Sequence, residues 1–263
     1  MMVIFAVLLP PRWANAQIVD CGRPSTAATQ FTVYIDEPYY ASEAFASDAD
    51  LVTFMNRLWF LLDQERDRLW EERSNIPVRF KLCDGRKPSI DGRDFDQRLV
   101  NLLYNQGVIV EIWGVLDAHI RDGQVHDRQA RIGYLLVPVR FAFLSSQDAP
   151  PSMYFVRYPE DPTTPAQDFL ELFAQATDID GYVAMGLGIK FLRLGDFELA
   201  QKNLCKGSLL LEQVRLQAQG GLRRQLHELT SFAKDAAAMA IHSAGEGSPL
   251  ALLDPARPCP SEG

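Results

Sequence analysis

The segment 108–141, VIVEIWGVLDAHIRDGQVHDRQARIGYLLVPVRF, decides the fold of this chain. Two β-rich runs flank Asp122-Gly123, and Asp-Gly is a strong hairpin signal because a type I′ turn needs positive φ at both central residues. Polar residues dominate the half of the hairpin near the turn. The other half is apolar on both faces, which is typical of strands covered on both sides. A turn centred on Asp122-Gly123 fixes this register: Arg121 opposite Gln124, His119 opposite His126, Asp117 opposite Arg128, and Trp113 opposite Ile132.

The chain before this hairpin alternates between strand and helix patterns. Residues 31–35 and 77–83 alternate in polarity as strands do, and apolar stripes at helical spacing predict helices over about 48–72 and 94–106. Gly107 stands where a helix C-terminal cap belongs. Residues 31–145 therefore form an α/β or α+β sandwich with the order βαβαββ.

The N-terminus has the pattern of a secretory signal peptide over residues 1–16. A short apolar run, Val3 to Leu9, precedes the small-residue triplet Ala14-Asn15-Ala16, which predicts cleavage before Gln17. An ordinary N-terminal strand is the alternative interpretation. We expect a periplasmic or secreted protein whose residues 17–30 form an N-terminal arm.

Charge and hydropathy exclude two classes of partner. The net charge is −8, whereas phosphate binding needs a basic surface, so no nucleic-acid partner is expected. No internal apolar run approaches the roughly 20 residues that span a bilayer. No glycine-rich loop follows a predicted strand, so we expect no dinucleotide cofactor, and no other cofactor is indicated.

The chain has four cysteines, at positions 21, 83, 205 and 259. They lack CxxC spacing, and an even count in an exported chain favours disulfides, with three possible connectivities. The pairs Cys21–Cys83 and Cys205–Cys259 would keep each bridge within one half of the chain. Four reduced, buried thiols are the alternative.

The C-terminal half divides at a proline-rich segment. Prolines at 150, 151, 159, 162 and 165 predict an extended connector over residues 146–167, because repeated proline suits neither a helix interior nor a central strand. Only helical patterns follow, over residues 168–242. Glycine, proline and serine then predict a flexible tail over 243–263.

Six residues of the helical half have a spacing that is typical of one known repeat: Gly188, Phe191, Gly195, Asp196, Ala200 and Leu204. With them, the segment of roughly 178–211 resembles a single tetratricopeptide (TPR) unit. The resemblance implies a helical hairpin that presents a groove to a partner peptide or helix, with these six residues as the candidate binding set. The chain departs from the family pattern at Gly207, where alanine is usual, and at Glu212, where proline is common. An unrelated helical hairpin is the alternative.

The element order of the N-terminal half, its compartment and its hairpin resemble the exported amino-terminal domain of TolB-type proteins. This resemblance has no diagnostic residue, so it implies a fold and a compartment and assigns no functional residue.

Two candidate chemical sites accompany these elements. His119 and His126 would face each other with Cβ atoms about 5 Å apart, and with Asp117 they could ligate a metal. An exposed polar hairpin tip with an Asp117–Arg128 ion pair is the competing interpretation. Cys83 follows a strand and could be a nucleophile, although no partnering histidine is identifiable and a disulfide or a buried thiol explains it better. Glu111 is expected to face the sheet edge.

The sequence as a whole favours an exported, non-enzymatic interaction or scaffold protein of the cell envelope. Its partner would be another protein that offers a peptide or a helix. Two alternatives stay open. One is a hydrolase or metal-dependent enzyme centred on Cys83 or on His119 and His126, and the other is a small-molecule or glycan-binding envelope domain.

Overall fold

In the computed structural model, the described part of the chain comprises residues 31–36, 39–40, 76–83, 97–121, 124–142, 153–159, 177–218 and 220–259. It forms an α+β fold with one mixed sheet and several helices. The signal peptide, the N-terminal arm, the helix expected over 48–72 and Cys21 lie outside the described residues.

The predicted hairpin is present as strands β4 (Val108–Arg121) and β5 (Gln124–Leu136). His119 pairs with His126 and Arg121 with Gln124, as the register predicted. The register then shifts by one residue, so Asp117 pairs with Gln129 and Trp113 with Gly133; the predicted pairings with Arg128 and Ile132 are wrong. The physical reason is an extra β5 residue, Asp127, between the partners of Ala118 and His119, which makes a β-bulge.

The second strand of the hairpin is also shorter than the apolar pattern suggested. It ends at Leu136, and a short helix, α2 (Val137–Ala142), replaces the expected continuation to Phe141. Pro138 lies in the first turn of this helix, where a missing N–H costs nothing because that position has no intrahelical acceptor.

Four further strands complete the sheet. Strand β1 (Phe31–Asp36) pairs in parallel with β3 (Val78–Cys83) and with β4, while β2 (Tyr39–Tyr40) adds a short parallel pair to β4. Strand β6 (Met153–Pro159) pairs antiparallel to β5. The strand order is β3-β1-β4-β5-β6. Part of the expected connector over 146–167 is therefore a strand of the sheet, and Pro159 is tolerated because it ends a strand at the side of the sheet.

The described helices lie on both sides of the hairpin in the sequence. Helix α1 (Gln97–Asn105) ends at Gly107, whose φ of 78° confirms the predicted C-terminal glycine. The C-terminal half contains α3 (Thr177–Leu194), α4 (Phe197–Gln217), α5 (Gly220–Ser243) and a 3-10 helix at Pro249–Leu252. Among these elements, no helix is long and apolar enough to span a membrane.

Helix α3 joins the sheet to the other helices, because its residues 179–189 are all buried. A helix that is apolar on all sides belongs inside a core. Gly186 permits close approach to the sheet, since a Cβ there would lie 2.9 Å from the carbonyl oxygen of Ile109. One buried apolar cluster consequently extends from Val33 on β1 to Ala240 on α5, so the sheet and the helices share a core.

Candidate functional site

The turn between α3 and α4 is built by two residues of the predicted TPR-like set. Gly195 has a φ of +80°, its N–H donates to Leu192 O, and the N–H of Asp196 donates to Phe191 O. These two bonds make a Schellman motif, which a glycine at this position favours. Asp196 then caps α4, because its Oδ1 accepts from Leu199 N at 3.1 Å. The chain thus ends one helix and starts the next within two residues.

The other four members of the set hold the helical hairpin to its neighbours. A Cβ at Gly188 would lie 2.6 Å from Leu204 Cγ and 2.9 Å from Leu204 N, so only glycine fits this crossing. Ala200 and Leu204 are fully buried on α4. The ring of Phe191 meets the ring of Phe31 on β1 edge to face, with centroids 5.0 Å apart. These residues therefore pack the hairpin internally, and they do not line an open groove.

Gly207 lies where α3 and α4 approach each other closely. A Cβ at position 207 would lie 2.9 Å from Met185 N and 3.0 Å from Gly181 O, both backbone atoms of α3. Alanine at this position would force the two helices apart, because backbone atoms cannot turn away as a flexible side chain can.

An open depression of about 470 Å³ lies at the turn end of the helical hairpin. Leu194, at the end of α3, is exposed over 63% of its surface although it is a large apolar side chain. Two acidic residues, Asp196 and Glu198, contribute to the same depression, and Ser248 Oγ donates to Glu198 Oε1 at 3.5 Å. The complete lining consists of Leu194, Gly195, Asp196, Phe197, Glu198, Ala244 and Ser248.

A disulfide joins α4 to the end of the described chain. Cys205 and Cys259 are bonded, with Cα atoms 5.2 Å apart, as one of the two predicted pairs specified. Beside them, Gln201 Nε2 donates to Pro258 O at 2.6 Å in a buried position. Within residues 244–259, which composition predicted to be part of a flexible tail, the chain forms a 3-10 helix at Pro249–Leu252, and Leu250 and Pro258 are buried.

The candidate metal site falls on side chains that the structure does not describe. The backbone places His119 opposite His126, and the bulge moves Asp117 out of register with Arg128. Among the described residues, no group of three or more histidines, cysteines, aspartates or glutamates could hold a metal ion. Metal binding by these three residues stays a prediction. Cys83 is the last residue of β3, and its side chain is likewise outside the described set.

Glu111 differs from the sequence expectation. It is buried in β4, with 1% of its surface exposed, beside Tyr34 in the β1–β4 register. The Tyr34 hydroxyl in turn donates to Gln106 Oε1 at 3.3 Å. The expected edge-facing carboxylate is therefore wrong, because α1 and the neighbouring strands cover this part of the sheet.

A cation–aromatic cluster that the sequence pattern did not indicate lies between α1 and α3. Lys190 Nζ lies 3.4 Å from the ring centroid of Tyr104 and donates to Tyr104 O at 3.4 Å. This contact ties the C-terminal end of α1, where cations are favoured, to α3. Burial, and then the nearby charge of Arg193, lowers the pKa of Lys190 to about 8. No local signal reveals the cluster, because Lys190 and Tyr104 are 86 positions apart.

No protein-family model and no curated protein sequence matches this chain.

Proposed function

We propose that this chain is an exported interaction protein that binds a partner peptide or helix at the turn end of its helical hairpin. The observation that carries the proposal is the open depression beside Leu194, an exposed leucine that directly precedes the hydrogen-bonded two-residue turn. Because the backbone of the turn is already held by hydrogen bonds, little backbone entropy is lost there when a partner binds.

The chemistry of the depression favours one kind of partner segment. Leu194 and Phe197 offer apolar surface, while Asp196 and Glu198 offer negative charge. The N-terminus of α4 carries a partial positive charge, which these two acidic residues offset. A segment that presents an apolar side chain beside a lysine or arginine would complement both features.

The Cys205–Cys259 disulfide supports the proposed compartment. Disulfides persist in the periplasm and outside the cell, whereas reducing systems in the cytosol keep most thiols free. Export of this chain also agrees with the signal-peptide pattern of residues 1–16.

The binding proposal can be tested without knowing the natural partner. A random 12-residue peptide library displayed on phage would be selected on the oxidised protein, and the enriched peptides would be titrated against Leu194→Glu and Leu216→Glu variants. Leu216, on the outward face of α4, is 64% exposed and serves as the matched control. We expect at least about a tenfold loss of affinity for Leu194→Glu, equivalent to about 1.4 kcal/mol, and less than about twofold for the control. Equal effects of the two variants would reject this site.

A second candidate function follows from the register of the hairpin. Because His119 and His126 are direct cross-strand partners, a metal site at the hairpin tip is the specific alternative. Calorimetric titration with Zn²⁺ would favour it if binding at micromolar concentrations is lost in a His119→Ala variant and in a His126→Ala variant.

A further inference from the structure

The chain after α5 forms a defined segment, residues 244–259, which we name the C-terminal strap. It begins with two glycines in the left-handed region, Gly245 at φ +74° and Gly247 at φ +99°. Neither glycine has another atom within 4 Å of the place a Cβ would occupy. The strap therefore starts at an uncrowded pair of residues whose backbone conformation changes with little steric resistance.

After Gly247, hydrogen bonds between nearby residues determine the conformation of the strap. Ser248 Oγ accepts from Leu250 N and caps the 3-10 helix, and the N–H groups of Ala251, Leu253 and Arg257 donate to carbonyls three residues earlier. Such bonds hold the strap's own shape, yet they do not attach it to the rest of the protein.

A few contacts attach the strap to the helices. Leu250 is buried, Ser248 Oγ donates to Glu198 Oε1 at 3.5 Å, Gln201 Nε2 donates to Pro258 O at 2.6 Å, and the Cys205–Cys259 disulfide joins the strap to α4. Both cysteines are only partly buried, so a thiol reagent has access to the bond. Of these attachments, the disulfide is the covalent one, which a reductant can break.

Few residues of the strap reach the shared core. The buried members of that core on α4 and α5 are apolar residues that end at Ala240, and from the strap only Cys259 packs against the cluster. We therefore expect the helices to stay folded when the strap is released.

We infer that the C-terminal strap is a redox-released element, closed by the Cys205–Cys259 disulfide and opened by a dithiol reductant. A thiolate of the reductant attacks one sulfur and forms a mixed disulfide, and its second thiol resolves that intermediate. Two electrons and two protons pass to the protein, which leaves two thiols, and the reductant becomes a disulfide.

Release of the strap would change the depression. Ala244 and Ser248 belong both to the strap and to the lining, and Ser248 contacts Glu198 from the strap side. Opening beyond Gly245 would remove Ser248 from the lining, so the oxidised form is the one that binds a partner. This consequence rests on the proposed function, whereas the release itself concerns the protein alone.

Amide hydrogen exchange followed by mass spectrometry tests the release without any partner. The wild-type chain would be compared with a Cys205→Ala/Cys259→Ala variant, which leaves Cys21 and Cys83 unchanged. We expect exchange in the peptides that contain Ala251, Leu253 and Arg257 to become at least about tenfold faster, while α4 and α5 peptides change less than about twofold. Circular dichroism should retain the helical signal.

A Gln201→Leu variant with the disulfide intact is the matched control, and its strap should keep most of its protection. Strap peptides that stay protected in the double variant would overturn the inference, because another contact would then hold the strap. Loss of the helical signal in the double variant would also overturn it, since the core would then depend on the bond. If the strap opens but the selected peptides bind both forms equally, the release stands and the proposed binding site fails.

Discussion

The ring of Tyr134 on β5 lies nearly parallel to the ring of Tyr182 on α3, with centroids 4.2 Å apart and an interplanar angle of 18°. Both side chains are fully buried. The stack joins an element of the predicted α/β domain to an element of the predicted helical module. The two halves thus have an apolar contact at the centre of the fold, and the helical hairpin is oriented by the sheet.

Replacing Tyr182 with alanine should destabilise the whole protein. Removing a buried aromatic ring costs about 3–5 kcal/mol through lost burial and a residual cavity. Tyr182→Phe keeps the ring and should cost less than about 1.5 kcal/mol. Urea unfolding followed by circular dichroism would measure both changes.

The same experiment tests the shared core. Far-ultraviolet dichroism follows the helices and near-ultraviolet dichroism follows the packing of aromatic rings. Because the rings and the helices belong to one buried cluster, the two transitions should coincide in the wild-type protein. Two separate midpoints would mean that the sheet and the helices unfold as independent units.

Gly207→Ala should lower stability although alanine is the better helix former. The gain in helix propensity is about 1 kcal/mol, but overpacking against the backbone of α3 costs about 1–3 kcal/mol. Gly221→Ala is the matched control, since position 221 is helical and exposed and has open space for a Cβ. We expect the control to be neutral or stabilising in urea unfolding. A stabilising effect at position 207 would contradict the close approach of α3 and α4.

Asp196→Ala should weaken the start of α4. The Asp196 carboxylate satisfies the N–H of Leu199, and loss of such a cap costs about 1 kcal/mol. Asp235→Ala, at an exposed position inside α5, should change the free energy of unfolding by less than about 0.5 kcal/mol. Thermal or urea unfolding of the two variants compares them directly, and equal effects would argue against the cap.

Features set by neighbouring residues were predictable from the sequence. The Asp122-Gly123 signal predicted the hairpin, and Gly107 predicted a helix end, because each depends on backbone preferences within a few residues. The Cys205–Cys259 pair belongs to one of three possible connectivities, the one that keeps each bridge within one half of the chain. The second pair of that connectivity, Cys21–Cys83, stays a prediction because it lies outside the described side chains.

Features set by distant packing were not predictable. One extra residue in β5, Asp127, creates the bulge, and no residue type near it marks that position in the sequence. The TPR-like spacing could not indicate that α3 would be covered by the sheet. Phe191, Ala200 and Leu204, which were expected in a groove, are therefore internal, whereas Gly195 and Asp196 line the open depression. The wall of the depression formed by Ala244 and Ser248 comes from a segment whose composition suggested disorder.

Lys190 should give the protein a distinct dependence of stability on pH. Burial lowers its pKa to about 8 in the folded state, so between pH 8 and about 10.5 the unfolded chain binds more protons than the folded chain. Stability contributed by this group therefore rises with pH across that window. The free energy of unfolding of the wild type, minus that of Lys190→Met, should become more positive from pH 7.5 to 10.

Urea unfolding at a series of pH values measures this difference. Lys202→Met, on the exposed face of α4, provides the reference for losing a lysine from the surface. If the difference in unfolding free energy between the wild type and Lys190→Met stays constant across the window, the environment of Lys190 does not disfavour its charged form.

The most direct test of the proposed function is a hydrogen-exchange footprint of a phage-selected peptide on the oxidised, full-length chain. We expect slower exchange in the peptides that cover the start of α4, around Phe197 to Ala200, and the strap around Ser248 to Ala251. Exchange on the outward face of α4 near Leu216 should stay unchanged. Protection that appears instead along the β4–β5 hairpin, with none at the turn end, would contradict the proposed binding site.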